Sequence, residues 1–187
     1  MTTQPLRSVY QIRVTLQYIQ PTVWRRFRVV STVNLADFHI ALQIVMGWSN
    51  SHLHQFLMNA RCYGMPEEEF PDNTLDEKQF RLEQLLKAEK DYLNYSYDFG
   101  DGWEHHVMLE KILPFDQKTS STHCLEGERA CPPEDVGGPP GYEMFLEAIG
   151  DASQPEYHEM LEWAGGEFDA GFFDLEAVNK VLKIQFR

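Results

Sequence analysis

Residues 93–109, with the sequence LNYSYDFGDGWEHHVML, decide the fold of this chain of 187 residues. Apolar side chains alternate with polar ones over Leu93–Phe99 and again over Trp103–Leu109, and this period of two predicts two strands. Gly100–Gly102 lies between them and supplies residue types that adopt the positive φ angles of a tight turn. The stretch therefore predicts an antiparallel hairpin.

The same period near the start of the chain predicts another hairpin. Tyr10–Tyr18 alternates between apolar and polar residues, and Gln20-Pro21 is typical of a turn. Val23–Val29 then resumes the apolar face, which is interrupted by Arg25. A further strand is predicted for His52–Ala60.

Apolar residues at helical spacing predict the helices. The first follows Asn34, a good N-cap, and ends at Gly47. A short helical segment is expected at Leu82–Leu86. Three helices are expected to complete the chain, over Tyr142–Ile149, Tyr157–Ala164 and Leu175–Leu182.

Two stretches show no period and are expected to be loops. Residues 114–140 form one of them, and residues 64–78 form the other, where the acidic side chains, Glu77 among them, are interpreted as a solvated face. The order of elements predicts an α+β fold of one domain over residues 1–187. We expect a mostly antiparallel sheet built from two hairpins plus one further strand, with helices packed on it and a helical C-terminal part.

Composition excludes several classes of protein. The chain has 16 Lys and Arg against 29 Asp and Glu, a net charge of −13, so its field repels phosphate backbones and a nucleic-acid partner is unlikely on this ground. The aromatic content of 13% argues against disorder. Three cysteines are too few for a disulfide framework. Neither a secretory signal nor an apolar stretch near the ~20 residues of a spanning helix is recognised, so we expect a cytoplasmic protein without a membrane partner.

Four motifs follow one another along the chain: PTVWRR at residues 21–26, HLHQF at 52–56, YDFGDGWEH at 97–105 and RACPPEDVGG at 129–138. With them, nearly the whole chain resembles the plasmid pRiA4b ORF-3-like family, whose members are often labelled as transposon passenger or resolvase-like proteins. The resemblance brings no established activity. Many members carry Cys where this chain has Val136, so the resemblance does not imply a metal site that requires three cysteines in this loop.

The resolvase-like label is poorly matched by the residues. A serine recombinase needs a nucleophilic serine among several arginines and a basic DNA-binding tail. Arg25, Arg26 and Arg28 lie on a predicted strand with no serine beside them until Ser31, and the C-terminal helices are acidic or neutral. A charged edge strand is the simpler interpretation.

Histidines and cysteines are the candidate metal ligands. His52 and His54 are two residues apart, so on one strand both would point to the same face, as two ligands of one metal require. The gap between Cys124 and Cys131 is wider than in common zinc knuckles. In the alternative interpretation, these groups are buried core residues. The candidate ligands for a divalent metal are His52, His54, His106, Cys124 and Cys131.

The segment Pro132–Gly138 (PPEDVGG) is a second indication of a site. Its prolines stiffen the backbone before two adjacent carboxylates, which suits a cation or a basic group, although the loop could equally cap the next helix and pack under the sheet. We expect His52–His54, Gly100–Trp103 and Cys131–Gly138 to line one concavity. The candidate ligand-binding residues are His52, His54, Asp98, Asp101, Trp103, His105, Glu134 and Asp135.

Three functions remain open. The first is a non-enzymatic binding module for a protein or peptide, since the chain is acidic, rich in Trp and Tyr and without a complete catalytic constellation. The second is a metal-dependent hydrolase-like enzyme that uses the His, Asp and Glu cluster with a divalent metal as its cofactor. An accessory role in DNA recombination is the least favoured.

Overall fold

The computed structural model describes residues 7–66, 73–116 and 121–186, and within them the chain forms eight strands, five α-helices and a 3-10 turn at Glu77–Gln79. The strands are β1 (Ser8–Leu16), β2 (Trp24–Val30), β3 (His54–Met58), β4 (Arg61–Gly64), β5 (Leu75–Asp76), β6 (Tyr92–Tyr97), β7 (Trp103–Pro114) and β8 (His123–Glu128). The helices are α1 (Leu35–Met46), α2 (Leu82–Leu85), α3 (Gly138–Gly150), α4 (Tyr157–Trp163) and α5 (Leu175–Gln185). None of these helices is long and apolar enough to cross a membrane.

All eight strands belong to one sheet in the order β5-β4-β3-β6-β7-β1-β2-β8. Every neighbouring pair is antiparallel except β4 and β5. Both predicted hairpins are confirmed: Ile12 of β1 pairs with Phe27 of β2, and Tyr97 of β6 pairs with Trp103 of β7. The predicted α+β class is therefore confirmed.

Two loop predictions were wrong in part. β8 lies inside the stretch predicted to be a loop, and it escaped detection because only Cys124 among its six residues is buried, which leaves no alternation to read. The other stretch contains β5 and the 3-10 turn, where Glu77 is buried rather than solvated. The acids Glu67, Glu68, Glu69 and Asp72 lie outside the described residues.

The predicted third strand is shorter than expected at both ends. Asn59 and Ala60 have positive φ angles of 50° and 59° and form the turn after β3. His52 precedes the first residue of β3, His54, so the alternation of a strand does not govern where its side chain points. This shift separates the two histidines that the sequence analysis paired.

Helix α1 covers one face of the sheet. The Asn34 side chain accepts a hydrogen bond from the backbone N–H of Asp37, and the helix ends at Gly47, as predicted. Phe38 of α1 stacks between Phe27 and Phe56, with ring centroids 6.0 Å from each. These three buried rings join α1 to β2 and β3 at the centre of the core.

The residue that interrupts the apolar face of β2 has a structural role. Arg25 is 1% exposed and donates hydrogen bonds to the carbonyl oxygens of Val45 (2.8 Å), Glu128 (2.7 Å) and Arg129 (2.8 Å). Its guanidinium carbon also lies 3.9 Å from the ring centroid of Phe173. Because Val45 is in the last turn of α1, the cation also lies at the negative end of the helix dipole. Arg25 therefore ties α1 and β8 to the loop that follows β8.

Helix α5 closes the β8 edge of the sheet. Leu182 is fully buried, and the side-chain amide of Asn179 exchanges two hydrogen bonds with the backbone of Cys124, at 2.8 and 2.9 Å. These bonds satisfy backbone groups at Cys124 that an edge strand would otherwise expose.

Candidate functional site

Strand pairing brings the side chains of His52 and Asp98 together. β3 and β6 are antiparallel, with His54 opposite Tyr97, so the start of β3 lies beside the end of β6. His52 comes just before β3 and Asp98 comes just after β6. The backbone N–H of Asp98 donates to the carbonyl oxygen of Leu53 at 2.9 Å, which fixes the two segments side by side.

The loop between β8 and α3 brings Glu134 and Asp135 to the site. The indole N–H of Trp48 donates to the carbonyl oxygen of Pro132 at 3.0 Å, and the backbone N–H of Gly137 donates to Oδ2 of Asp101 at 3.1 Å. Gly138 has a φ of 68°, and a Cβ atom there would overlap the carbonyl oxygen of Asp101. Glycine at this position therefore allows the loop to dock against the hairpin turn.

Three carboxylates surround one imidazole nitrogen where these segments meet. Nε2 of His52 lies 3.1 Å from Oδ1 of Asp135, 3.6 Å from Oδ2 of Asp98 and 3.7 Å from Oε2 of Glu134. One donor atom each from His52, Asp98 and Asp135 lies within 4.8 Å of the other two. Nε2 is itself buried, and it makes no hydrogen bond with any residue that the structure describes.

Asp98 is held by its own turn. Its φ is 54°, a left-handed conformation that aspartate tolerates better than most residues, and its side chain is only 9% exposed. Oδ1 accepts hydrogen bonds from the backbone N–H groups of Gly100 (3.0 Å) and Asp101 (3.3 Å). The second oxygen, Oδ2, faces His52.

Glu134 is held by three donors. Its Oε1 accepts hydrogen bonds from the backbone N–H of Ser49 (2.8 Å), the hydroxyl of Ser49 (3.0 Å) and the hydroxyl of Tyr97 (3.1 Å). Burial, together with the charge of Glu134, raises the pKa of Tyr97, so the phenol keeps its proton and remains a donor. Oε2 of Glu134 is thereby oriented towards His52.

Ser49 and Tyr97 are neighbours of the cluster that the sequence analysis missed. Tyr97 was interpreted only as an apolar residue of a strand, and Ser49 only as part of a connecting segment. Their contribution depends on the path of the loop that carries Glu134, which is 85 residues from Ser49 and 37 residues from Tyr97 in the chain, so the sequence carries no local signal for it.

Other predicted ligand-binding residues lie elsewhere. His54 is buried, with Nε2 2.8 Å from Oε2 of Glu77 and its ring stacked on His39 at a centroid distance of 3.4 Å. His105 is fully buried, with Nδ1 3.0 Å from the carbonyl oxygen of Tyr95, and burial lowers its pKa to about 4. Trp103 is a buried core residue. His54 therefore does not join His52 in the cluster, since the two imidazoles have different partners.

The remaining metal-ligand candidates are also dispersed. His106 contacts Tyr92 with the two rings tilted by 41° and their centroids 4.7 Å apart, away from the buried face that holds its neighbour His105. Burial raises the pKa of Cys124 to about 11, and it also raises the pKa of Cys131. Neither thiol belongs to a group of three or more ligating side chains among the described residues.

The arginines of β2 do not converge on a phosphate-binding site. Arg25 is occupied by backbone carbonyls, and Arg26 forms ion pairs with Glu110 and Glu126. The hydroxyl of Ser31 donates to Glu83 at 3.0 Å. Two of the three arginines of β2 and the hydroxyl of Ser31 are therefore engaged within the protein.

The cluster of His52, Asp98, Asp135 and Glu134 has the ligand types of a site for a divalent transition metal. Zinc binds imidazole nitrogen and carboxylate oxygen, and in a tetrahedral site two ligand atoms about 2.1 Å from the ion lie about 3.4 Å apart. The separations from Nε2 of His52 to Oδ1 of Asp135 and to Oδ2 of Asp98, 3.1 and 3.6 Å, bracket that value. The residues therefore fit such an ion.

Comparison with known proteins identifies the family of the chain and relatives of similar length. The family model described as "Plasmid pRiA4b ORF-3-like protein" matches residues 8–177. The chain is 40% identical over 180 residues to uncharacterized protein y4hQ of Sinorhizobium fredii (strain NBRC 101917 / NGR234), which covers 94% of this chain and 91% of that protein. It is also similar to the crystal structure of MM3350, a protein of unknown function from Methanosarcina mazei Go1, with 34% identity and a TM-score of 0.82 over 91% of this chain and 97% of that one.

Proposed function

The chain belongs to the plasmid pRiA4b ORF-3-like family, and we propose that it is a metal-dependent enzyme of hydrolytic type whose metal ion is held by His52, Asp98 and Asp135. The observation that carries this proposal is the buried Nε2 of His52, which has three carboxylate oxygens within 3.7 Å and no hydrogen bond among the described residues.

Electrostatics supports a cation at this point. Three carboxylates so close together repel one another, and even a protonated His52 would leave two negative charges in the cluster. Asp98 and Glu134 cannot relieve this repulsion by moving apart, because Asp98 is fixed by its turn and Glu134 by Ser49 and Tyr97. A divalent ion bound to neutral His52 would reduce the charge of the three carboxylates from −3 to −1 and would satisfy Nε2.

Glu134 supports hydrolysis rather than metal storage. A catalytic zinc site has three protein ligands and a position for water, whose pKa the ion lowers to about 7. Glu134 is the fourth residue of the cluster, with one oxygen held by three donors and the other facing His52. Its carboxylate would take a proton from the attacking water and return it to the leaving group as the substrate bond breaks, so the enzyme ends unchanged.

Metal binding is tested on tag-free protein stripped with EDTA. We expect calorimetry with zinc chloride and with manganese chloride to give one site per chain. Asp98→Asn keeps the turn, because an asparagine oxygen also accepts hydrogen bonds and tolerates positive φ. We expect this variant and His52→Asn to lose at least about 100-fold in affinity, since changes outside the ligand shell alone cost about 10–100-fold.

The matched control is His106→Asn, which removes a half-buried histidine that lies outside the cluster. It should bind metal as the wild type does. Wild-type protein without a stoichiometric site, or equal affinities for His52→Asn and His106→Asn, would refute the proposed site.

The enzymatic part is tested with p-nitrophenyl esters, p-nitrophenyl phosphate and peptide p-nitroanilides. Glu134→Gln should keep the metal, because the amide oxygen can still accept from Ser49 and Tyr97, and it should lower the rate by about 10²–10⁴-fold. A zinc-loaded wild type that hydrolyses none of these substrates, or a Glu134→Gln variant as active as the wild type, would refute hydrolysis by this residue.

A further inference from the structure

An apolar groove lies next to the cluster, between α3, α4 and the loop that carries Glu134 and Asp135. Its volume is about 590 Å³, within the range of ligand pockets. Phe145 and Met160 lie in its wall, while Met144 is 70% exposed and Trp163 is 47% exposed. Large apolar side chains that are exposed together along a groove are typical of an interaction site.

The groove lies in the most acidic part of the chain. Residues 130–179 contain 12 Asp and Glu and no Lys or Arg, whereas the rest of the chain has 17 acidic and 16 basic residues. The net negative charge of the protein therefore belongs almost entirely to this segment. Asp135, Glu147 and Glu156 are the carboxylates among the described residues that line the groove.

We propose that this groove binds a peptide segment in which an apolar side chain is followed by lysine or arginine. The apolar side chain packs against Phe145, Met144 and Trp163, and the neighbouring cation pairs with Glu147 and Glu156. Asp135 belongs both to the groove and to the cluster around His52, so the peptide would lie beside the proposed metal. If the chain is the proposed hydrolase, such a peptide is its substrate, and this part of the inference rests on the proposed function. Binding of the peptide in the groove does not depend on it.

Charge and shape together select this occupant. Nucleic acids and anionic membranes are repelled by a segment with 12 carboxylates and no basic residue. A bare metal ion would leave the apolar wall exposed. A peptide with alternating apolar and basic residues satisfies both the wall and the carboxylates that line it.

Binding is tested by the fluorescence anisotropy of labelled decapeptides in 0.15 M NaCl. We expect a peptide of alternating leucine and lysine to bind at least about tenfold more tightly than one of alternating serine and lysine, which keeps the charge but lacks the apolar contact. A peptide of alternating leucine and glutamate should bind still more weakly, because like charges oppose it. Equal affinity for the two lysine peptides would overturn the proposal.

Two groups of variants locate the binding site. Met144→Ser and the pair Glu147→Gln with Glu156→Gln should each weaken the leucine–lysine peptide by about fivefold or more. The matched control is Ile184→Ser, which removes a side chain that is 59% exposed on α5, outside the groove. An equal loss of peptide affinity in Met144→Ser and Ile184→Ser would show non-specific adsorption of the peptide and would refute the groove as its binding site.

Two further measurements separate the alternatives. Repeating the peptide titration in EDTA distinguishes the two proposals. Peptide binding that persists without metal supports the peptide-binding groove even if no metal site exists. Metal binding without peptide binding refutes only the peptide-binding groove. Sedimentation velocity tests self-association. A dimer that Met144→Ser dissociates would show that a second copy of the chain covers the groove, and would overturn the peptide proposal.

Discussion

Replacing Arg25 with methionine should destabilise the protein by about 3 kcal/mol. Methionine has a similar length and fits a buried position, so the change removes the charge and the donors while it largely preserves the packing. Arg25 is 1% exposed, which means that water cannot take over its hydrogen bonds without opening the core.

The magnitude follows from the groups that Arg25 leaves behind. Three carbonyl oxygens from other parts of the chain, those of Val45, Glu128 and Arg129, lose their donor. The bond to Val45 is buried and the other two are partly buried, so we take the loss of each at about 1 kcal/mol, the low end of the range for an unsatisfied buried acceptor. Loss of the cation–π contact with the ring of Phe173 adds about 1 kcal/mol to the destabilisation. Methionine avoids the cost of burying a charged guanidinium, and this gain offsets a similar amount.

The assay is urea denaturation followed by circular dichroism and by tryptophan fluorescence. Arg25→Lys should fall between the wild type and Arg25→Met, since one ammonium group cannot reach three separate carbonyls with good geometry. Arg61→Met is the matched control, because Arg61 is exposed and its replacement should change the free energy of unfolding by less than about 0.5 kcal/mol. A loss below about 1 kcal/mol in Arg25→Met would refute the reasoning.

Two other predictions concern the docked loop and the response to acid. Gly138→Ala should weaken zinc binding and lower the melting temperature, because its Cβ would overlap the carbonyl oxygen of Asp101; calorimetry and thermal scans matching the wild type would contradict this. Burial lowers the pKa values of His39 and His105 to about 4, below the unfolded value of about 6.5, so the unfolded chain binds more protons between these limits. Stability should therefore fall as the pH drops from 6.5 to 4, by up to about 1.4 kcal/mol per pH unit for each histidine, and His39→Gln should reduce this slope in urea titrations at several pH values.

Local patterns were sufficient to predict most of the fold. The hairpin around Gly100–Gly102 and helix α1 were predictable because period, caps and turn residues all lie within a few positions of one another. β8 was not predictable, because an edge strand with one buried residue has no alternation, and its place in the sheet depends on pairing with β2, about a hundred residues earlier in the chain.

The candidate site was predictable in its chemistry but not in its membership. His52, Asp98, Glu134 and Asp135 were all candidates, because their residue types suit a cation, and the structure brings these four together. His54 was also a candidate, but a strand that begins two residues later than predicted leaves it in the core beside Glu77. A shift of two positions is smaller than a sequence pattern resolves at the end of a strand.

The docking of the loop against the hairpin turn makes the two ends of the sheet unequal in their tolerance of insertions. At the site end, Asp98 accepts a hydrogen bond from Gly100 in its own turn, and Asp101 accepts one from Gly137 in the docked loop. Gly138 lies so close to this turn that one added Cβ atom would overlap the carbonyl oxygen of Asp101. At the opposite end, the exposed turn at Asn59 and Ala60 only joins β3 to β4. An affinity tag, a fluorescent domain or new chain termini therefore belong at Asn59-Ala60, where exposed polar turns accept extra chain and the four residues around His52 stay undisturbed.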